Sequence, residues 1–412
     1  MIENMQKEAT KKMVIIKKRN LIFLLIVALL VGSGFTTLLY NQKLDTSNGV
    51  TISKQDYDAY KKMEGKYAKL EQLTSYIEDN YYVPVDETQL EEGLYKGLFY
   101  GVGDPYSAYL NKEEYNELLI ATTGEYSGIG VTIVPDSKGF INVIAPIDDS
   151  PAAKAGIKSG DKILKVDDKE YTADTIDAAV SAMRGAKGSK VSITILRNGE
   201  VNSFDMRRAT IVTKTIKSEI KDGNIGYLRI TSFEEKTAED FAKALRDMEV
   251  KGVDGLVIDL RDNPGGLVEI SVNIADMLLD SGTVTYTEDR KGEKTYYKSK
   301  EGKTSLPYVV LVNGGSASSS EILAAAIKDN HGGKLVGTTT FGKGIIQEIN
   351  ELPNGDAMKL TVMQYFSPKG NVIHGKGIQP DVSISLEESD FTDGVLTNDR
   401  QLQKAMELLI KK

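Results

Sequence analysis

Between residues 126 and 208 the chain is built from short β-rich runs, GIGVTIV, FINVIA, KILKVD and KVSITIL, parted by Gly and Asp turns. A helical stretch, Ala173 to Met183, falls between the third and fourth runs. The flanking sequence has other periods. From Gln55 to Asp79, Tyr60, Met63, Tyr67, Leu70, Leu73 and Ile77 recur at threes and fours. Further helical runs cover Val85 to Tyr100 and start near Lys112. These stripes fit core packing or a dimer contact better than a ligand site. From Gly226 the pattern is mixed: GYLRI, GLVIDL and PYVVLV read as buried strands, with helices at Thr237 to Met248, Leu267 to Leu279 and Ser318 to Lys328. Thr237 stands where an N-cap is expected. Asn354-Gly355 between IIQEINEL and AMKLTVMQYF marks a hairpin, and a last helix spans Arg400 to Ile410. A small separate β-rich domain is therefore expected within a larger α/β chain.

Composition narrows the chemistry. The net charge of -8 over 412 residues gives no basic field for nucleic acid. Cysteine is absent and only His331 and His374 are present, so neither a thiol nucleophile nor a His-rich metal site is available. No cofactor is expected.

Residues 21–40, LIFLLIVALLVGSGFTTLLY, carry no charge and follow Lys7, Lys11, Lys12, Lys17, Lys18 and Arg19. Twenty residues of helix span about 30 Å. With the basic flank cytoplasmic, a single-pass anchor in the cell membrane and an extracytoplasmic catalytic domain are expected. The alternative is a cleaved signal peptide, for which Gly32-Ser33-Gly34 offers small residues.

Gly128-Ile129-Gly130-Val131 opens a strand whose glycines free backbone N–H groups for a terminal carboxylate. With SPAAKAGIKSGDKILKVDD at Ser150 to Asp168, the stretch resembles a PDZ domain. The resemblance implies a peptide groove between Ile129 to Val131 and the Ala173 to Met183 helix. Arg184 lies just past that helix. It is either a solvated surface Arg or a switch that meets carboxylates when peptide is bound.

Three further segments carry chemistry. LRDNPGGL, Leu260 to Leu267, ends a buried strand in a turn whose free N–H groups can stabilise an oxyanion. VNGGSASSSEI, Val312 to Ile322, places serines at a strand-to-helix junction, where one of them caps the helix or is exposed for attack. TFGKGIIQ, Thr340 to Gln347, holds a Lys between two glycines.

Together these segments resemble the C-terminal processing peptidases, or tail-specific proteases, from about residue 55 to the end, including GKGIQPDV at Gly375 to Val382. In that family the nucleophile lies three residues before a Glu, the Lys 25 beyond the Ser and a Gln four beyond the Lys; Ser318, Glu321, Lys343 and Gln347 keep this spacing. The resemblance implies Ser318 as nucleophile, Lys343 as general base and Gln347 as its orienter. It also implies backbone N–H groups of Gly266 and Ser319 as the oxyanion hole. Ser319 stands where family members often carry Ala, and only its backbone is expected to matter.

An exposed Lys has a pKa of about 10.4, so neutralising it at pH 7 costs about 4.6 kcal/mol. Lys343 must therefore be largely desolvated when active. Three rivals compete with this reading. A His-dependent protease lacks an Asp partner in sequence for either His. A PDZ scaffold or inactive binding protein does not need the Ser318, Lys343 and Gln347 spacing. A metal hydrolase lacks an HExxH helix.

Periodicity alone gives a mixed α/β core; the resemblance implies an α/β protease core of the crotonase- and ClpP-like spiral type, and the expected fold adds to it an inserted β-rich PDZ domain, an N-terminal helical segment and one N-terminal transmembrane helix. The expected divisions are a basic tail at 1–20, an anchor at 21–40, helices at 55–120, a PDZ domain at 126–208, a peptidase core at 209–385 and a C-terminal segment at 386–412. Expected partners are protein or peptide substrates with free C-termini and the membrane through 21–40, with no nucleic acid; the resemblance, with helices at 55–120 and 400–410, also implies a homodimer.

Overall fold

The computed structural model describes residues 52–392 and 395–410, together with isolated positions between 18 and 29. Among the described residues no helix is long and apolar enough to cross a membrane. This overturns the expected transmembrane helix at 21–40 and the cell-membrane, extracytoplasmic localisation built on it. A span requires roughly 20 apolar residues in one helix. Most of 21–40 lies outside the described residues.

The chain divides into residues 1–90 and 91–412. In the first unit, the helix Lys54–Asn80 starts at Ser53, whose Oγ accepts from the Asp56 N–H at 3.1 Å. None of its residues is buried, and Tyr60, Met63, Tyr67 and Leu73 stay exposed along the apolar stripe.

The second unit holds the larger α/β core. A six-stranded sheet runs Ile216–Lys221, Ile225–Ile230, Gly255–Asp259, Tyr308–Val312, Lys334–Gly337, Val382–Ser383. The first pair is antiparallel and the other pairs are parallel. Every residue of Gly255–Asp259 and Tyr308–Val312 is buried, because both faces of the sheet are covered. Leu256, Ile258 and Val310 face one cluster with Phe241, Ile274 and Leu323 from the helices Thr237–Lys251, Val268–Leu278 and Ser319–Asp329. Val257, Val309 and Leu311 face the opposite cluster with Ala405 and Leu409 of Arg400–Ile410. The period of two along each strand thus separates two cores.

Thr237 is not the N-cap expected of it. That position is Lys236, which makes no side-chain cap bond. The Thr237 hydroxyl instead accepts from the Glu234 N–H at 2.9 Å and pairs with Thr215 Oγ1 at 2.7 Å.

A second sheet joins Ala108–Leu110, Ala357–Phe366, Gly282–Asp289 and Lys294–Ser299, with Ile345–Glu351 also paired to Ala357–Phe366. The hairpin between these last two strands turns at Gly355, whose φ of 88° suits glycine. The β-rich insert has its own six-stranded sheet and its own core of Ile129, Ile141, Val143, Ile163, Ile193 and Ile195. Its entry strand Glu125–Gly128 pairs antiparallel with its exit strand Ala209–Val212, so chain enters and leaves at one point. Within the SPAAKAG motif, Ser150 caps the short helix Pro151–Ala155 and Gly156 ends it in the left-handed region.

Candidate active site

The two strands at the centre of the core sheet, Gly255–Asp259 and Tyr308–Val312, are adjacent and parallel, so the turns at their C-terminal ends lie side by side. Such ends are where open parallel sheets place ligands. Three serine hydroxyls stitch the turns together: Ser316 Oγ donates to the Leu260 carbonyl at 2.8 Å, Ser319 Oγ to Gly266 at 2.8 Å and Ser320 Oγ to Asn263 at 2.9 Å. Asn263 also accepts from the Ala317 N–H at 3.0 Å. Gly265 packs so tightly that a Cβ there would lie 2.7 Å from Ser318 Cβ and 3.0 Å from Ser319 N.

Ser318 is the N-cap of Ser319–Asp329 and makes no side-chain cap bond. Its N–H is held in a capping-box arrangement with Glu321, and its φ of 53° and ψ of −116° are strained for a residue with a Cβ. The Ser319 N–H heads the helix, and neither it nor the Gly266 N–H has a backbone partner among the described residues. Both are thus open to an oxyanion. The Ser319 side chain does more than expected, since its hydroxyl holds the Gly266 peptide.

Glu321 is the residue that sequence reasoning used only as a marker. It is fully buried and accepts four bonds. They come from the Ser318 N–H (3.0 Å), the Thr340 hydroxyl (2.5 Å), the Gly342 N–H (2.7 Å) and the Lys343 N–H (2.8 Å). One carboxylate therefore fixes the main chain at Ser318 and at Lys343 together. Buried Tyr365 works from the other side, its hydroxyl reaching the carbonyls of Ser318 and Lys343. Only the Ser318–Glu321 bond has a local signature, the S-x-x-E spacing of a capping box; the bonds to Thr340, Gly342 and Lys343 and those of Tyr365 have none.

Lys343 is half-buried, and burial is the main cause that lowers its pKa below the usual Lys value. Lys359 pushes in the same direction and Asp104 opposes it. The ammonium nitrogen lies 4.7 Å from the centroid of the Tyr106 ring. No hydrogen bond joins Lys343 Nζ to Ser318 Oγ or to Gln347 among the described residues. Gln347 instead donates to Thr361 Oγ1 at 3.0 Å. The two histidines differ in place: His374 lies next to the site, its Nδ1 accepting from the Gly344 N–H at 3.4 Å, whereas His331 Nε2 contacts Lys369 Nζ at 3.4 Å.

In the insert, Val131–Pro135 is an edge strand with Ile141–Pro146 as its one neighbour. Beside it, a cleft of about 230 Å³ is lined by Gly128, Ile129, Gly130, Val131, Val180 and Met183, the last two from the helix Ile176–Met183. Arg184, at the C-cap of that helix, also lines the cleft and lies 5.5 Å over the Tyr126 ring.

A hydrolase-like α/β core with a small β-rich insert is the class these features define. The Peptidase family S41 model matches residues 224–384, a PDZ domain model 127–207 and an Activating protease CtpB N-terminal domain model 28–114. The chain is 36% identical over 375 residues to the carboxy-terminal processing protease CtpA of Bacillus subtilis (strain 168), covering 90% of this chain and 78% of that protein. It is 35% identical to CtpB of the same organism over 361 residues, 86% of this chain and 74% of that one. The solved photosystem II D1 C-terminal processing protease aligns with a TM-score of 0.48 at 28% identity, over 81% of this chain and 92% of that chain. The chain belongs to the S41 family as a C-terminal processing peptidase. It is accordingly a serine protease with a PDZ domain, acting on protein substrates.

Proposed function

We propose that Ser318 attacks the scissile carbonyl, with Lys343 as general base, Gln347 orienting Lys343, and the N–H groups of Gly266 and Ser319 holding the oxyanion. The observation that carries this reading is the shared clamp on Ser318 and Lys343 by Glu321, with Ser318 held at a strained φ of 53°. Burial of Lys343 favours its neutral form, as a base requires. Gln347 uses its amide nitrogen on Thr361, so its oxygen is the atom left to accept from the lysine amine.

Substrates are selected by their C-terminal tails in the PDZ cleft. The free edge of Val131–Pro135 supports strand addition by an extended tail, with its carboxylate at Gly128 to Val131. Arg184 exchanges Tyr126 for carboxylate contacts on docking and so couples tail binding to cleavage. The PDZ domain occupies 126–208 and the peptidase core 209–385. The exposed apolar stripe of Lys54–Asn80 supports a homodimer through that helix.

The test is cleavage of an internal reporter peptide with and without a non-cleavable tail peptide. The tail is expected to stimulate cleavage, and Arg184→Ala to reduce stimulation more than it reduces tail binding. Unchanged stimulation in Arg184→Ala sinks the switch. Unchanged tail selectivity on deleting 126–208 sinks tail selection by the PDZ domain.

A further inference from the structure

We propose that the loop at residues 101–107 belongs to the catalytic base, with the Tyr106 ring set against the Lys343 ammonium that forms when Ser318 gives up its proton and the Asp104 carboxylate, bonded to the Tyr106 N–H, favouring that charge through space. The proposal rests on Ser318 and Lys343 acting as nucleophile and base. In that step the Ser318 Oγ–C bond forms, the carbonyl electron pair moves to the oxygen, and the hydroxyl proton passes to Lys343 Nζ. The same proton later goes to the leaving amine as the C–N bond breaks. Between the two transfers the positive charge must be held within a half-buried site.

The loop is built for that task. Nζ lies 4.7 Å from the Tyr106 ring centroid, within range of a cation–π contact. Asp104 acts through space and raises the Lys343 pKa against burial and Lys359. Burial pushes the Asp104 carboxyl up, but bonds from Ser107, Thr361 and the Tyr106 N–H outweigh it and keep it below the usual range. It accepts from the Ser107 hydroxyl at 2.5 Å and from the Tyr106 N–H at 3.0 Å. Ser107 Oγ in turn accepts from the Thr361 N–H at 3.0 Å, and Thr361 Oγ1 accepts from Gln347. The chain of bonds thus runs from the loop to Gln347, which explains why Gln347 points at Thr361.

Other groups also face Lys343. Lys359 lies on Ala357–Phe366, and Tyr365 of that strand meets the Lys343 carbonyl. Glu321 accepts from its main chain, and His374 accepts from the adjacent Gly344. Glu321 is committed to four backbone and hydroxyl donors, which leaves Tyr106, Asp104 and Lys359 as the groups that tune the side-chain charge.

The readout is the acidic limb of the pH profile of kcat/KM, which reports the base in the free enzyme. The full chain is used with an internal reporter peptide. Tyr106→Leu removes the ring and keeps the site apolar, so the ammonium loses support and the limb moves down by roughly half a unit to one unit. Asp104→Asn moves it the same way. Tyr106→Phe keeps the π face, and the limb stays at its wild-type position. Lys359→Met removes a repelling charge and moves the limb up. Opposite shifts in Asp104→Asn and Lys359→Met decide the question even if Tyr106→Leu does not fold. A limb unmoved by Tyr106→Leu and Asp104→Asn, while Lys343→Ala is inactive, overturns the loop's role and leaves the Ser-Lys reading standing. Wild-type activity in Lys343→Ala overturns that reading itself.

Discussion

Lys343→Ala is expected to lower kcat/KM for a reporter peptide by roughly 10²–10⁴-fold, the usual worth of a positioned general base. The Lys343 main chain is bound through its N–H to Glu321 and its carbonyl to Tyr365, contacts that alanine keeps. The unfolding midpoint should therefore stay near wild type. The pH dependence has a definite sign. Burial lowers the Lys343 pKa, so the neutral base persists to lower pH than a free lysine, and activity falls as pH drops through that lowered value. Adding Ser318→Ala to Lys343→Ala should bring little further loss, since the two act as a unit. Replacing His331 and His374 together should leave cleavage largely intact. Wild-type rates in Lys343→Ala, or complete loss in the double histidine variant, would point to a different base.

Glu321→Ala should disable the enzyme through position rather than chemistry. The carboxylate touches no reacting atom, yet it accepts from Ser318, Thr340, Gly342 and Lys343 while fully buried. Removing it strands donors at three main-chain sites and one hydroxyl. Each buried unsatisfied donor costs about 1–3 kcal/mol, so a loss of at least about 3 kcal/mol is expected even if water replaces part of the network. Urea denaturation reads the stability and reporter cleavage reads the site. Glu321→Gln separates the two effects. It fills the space but offers one acceptor oxygen where the carboxylate has two, so it should recover part of the stability and little of the activity. A Glu321→Ala protein with wild-type midpoint and wild-type cleavage would remove the clamp from the mechanism.

The sheet and its turns were legible because their causes are local. GLVIDL and PYVVLV are dominated by apolar residues, with Asp259 the one charged residue between them, as strands covered on both faces require, and the DNPGG and NGGSAS turns follow closely in sequence. Asn354-Gly355 marked its hairpin for the same reason. What stayed hidden depends on residues far apart in the chain. Tyr365 lies 47 residues beyond Ser318 and Lys343 lies 22 beyond Glu321, and no spacing rule links either pair. The 101–107 loop reads as an ordinary Gly-Asp-Pro turn until Tyr106 is placed beneath Lys343. Ser319 was read as a backbone contributor alone, because hydroxyl-to-carbonyl stitching between two turns needs their register to be known. The anchor at 21–40 was argued from hydropathy and flanking charge, and no described helix is long and apolar enough to bear it out.

Digestion of a model protein that carries a defined C-terminal tail tests the central assignment most directly, with wild type and Ser318→Ala compared at equal concentration. Ser318 as the nucleophile predicts tail-dependent cleavage by wild type and none by Ser318→Ala, with the variant still folded and still binding the tail. Cleavage by folded Ser318→Ala at the wild-type rate would contradict it.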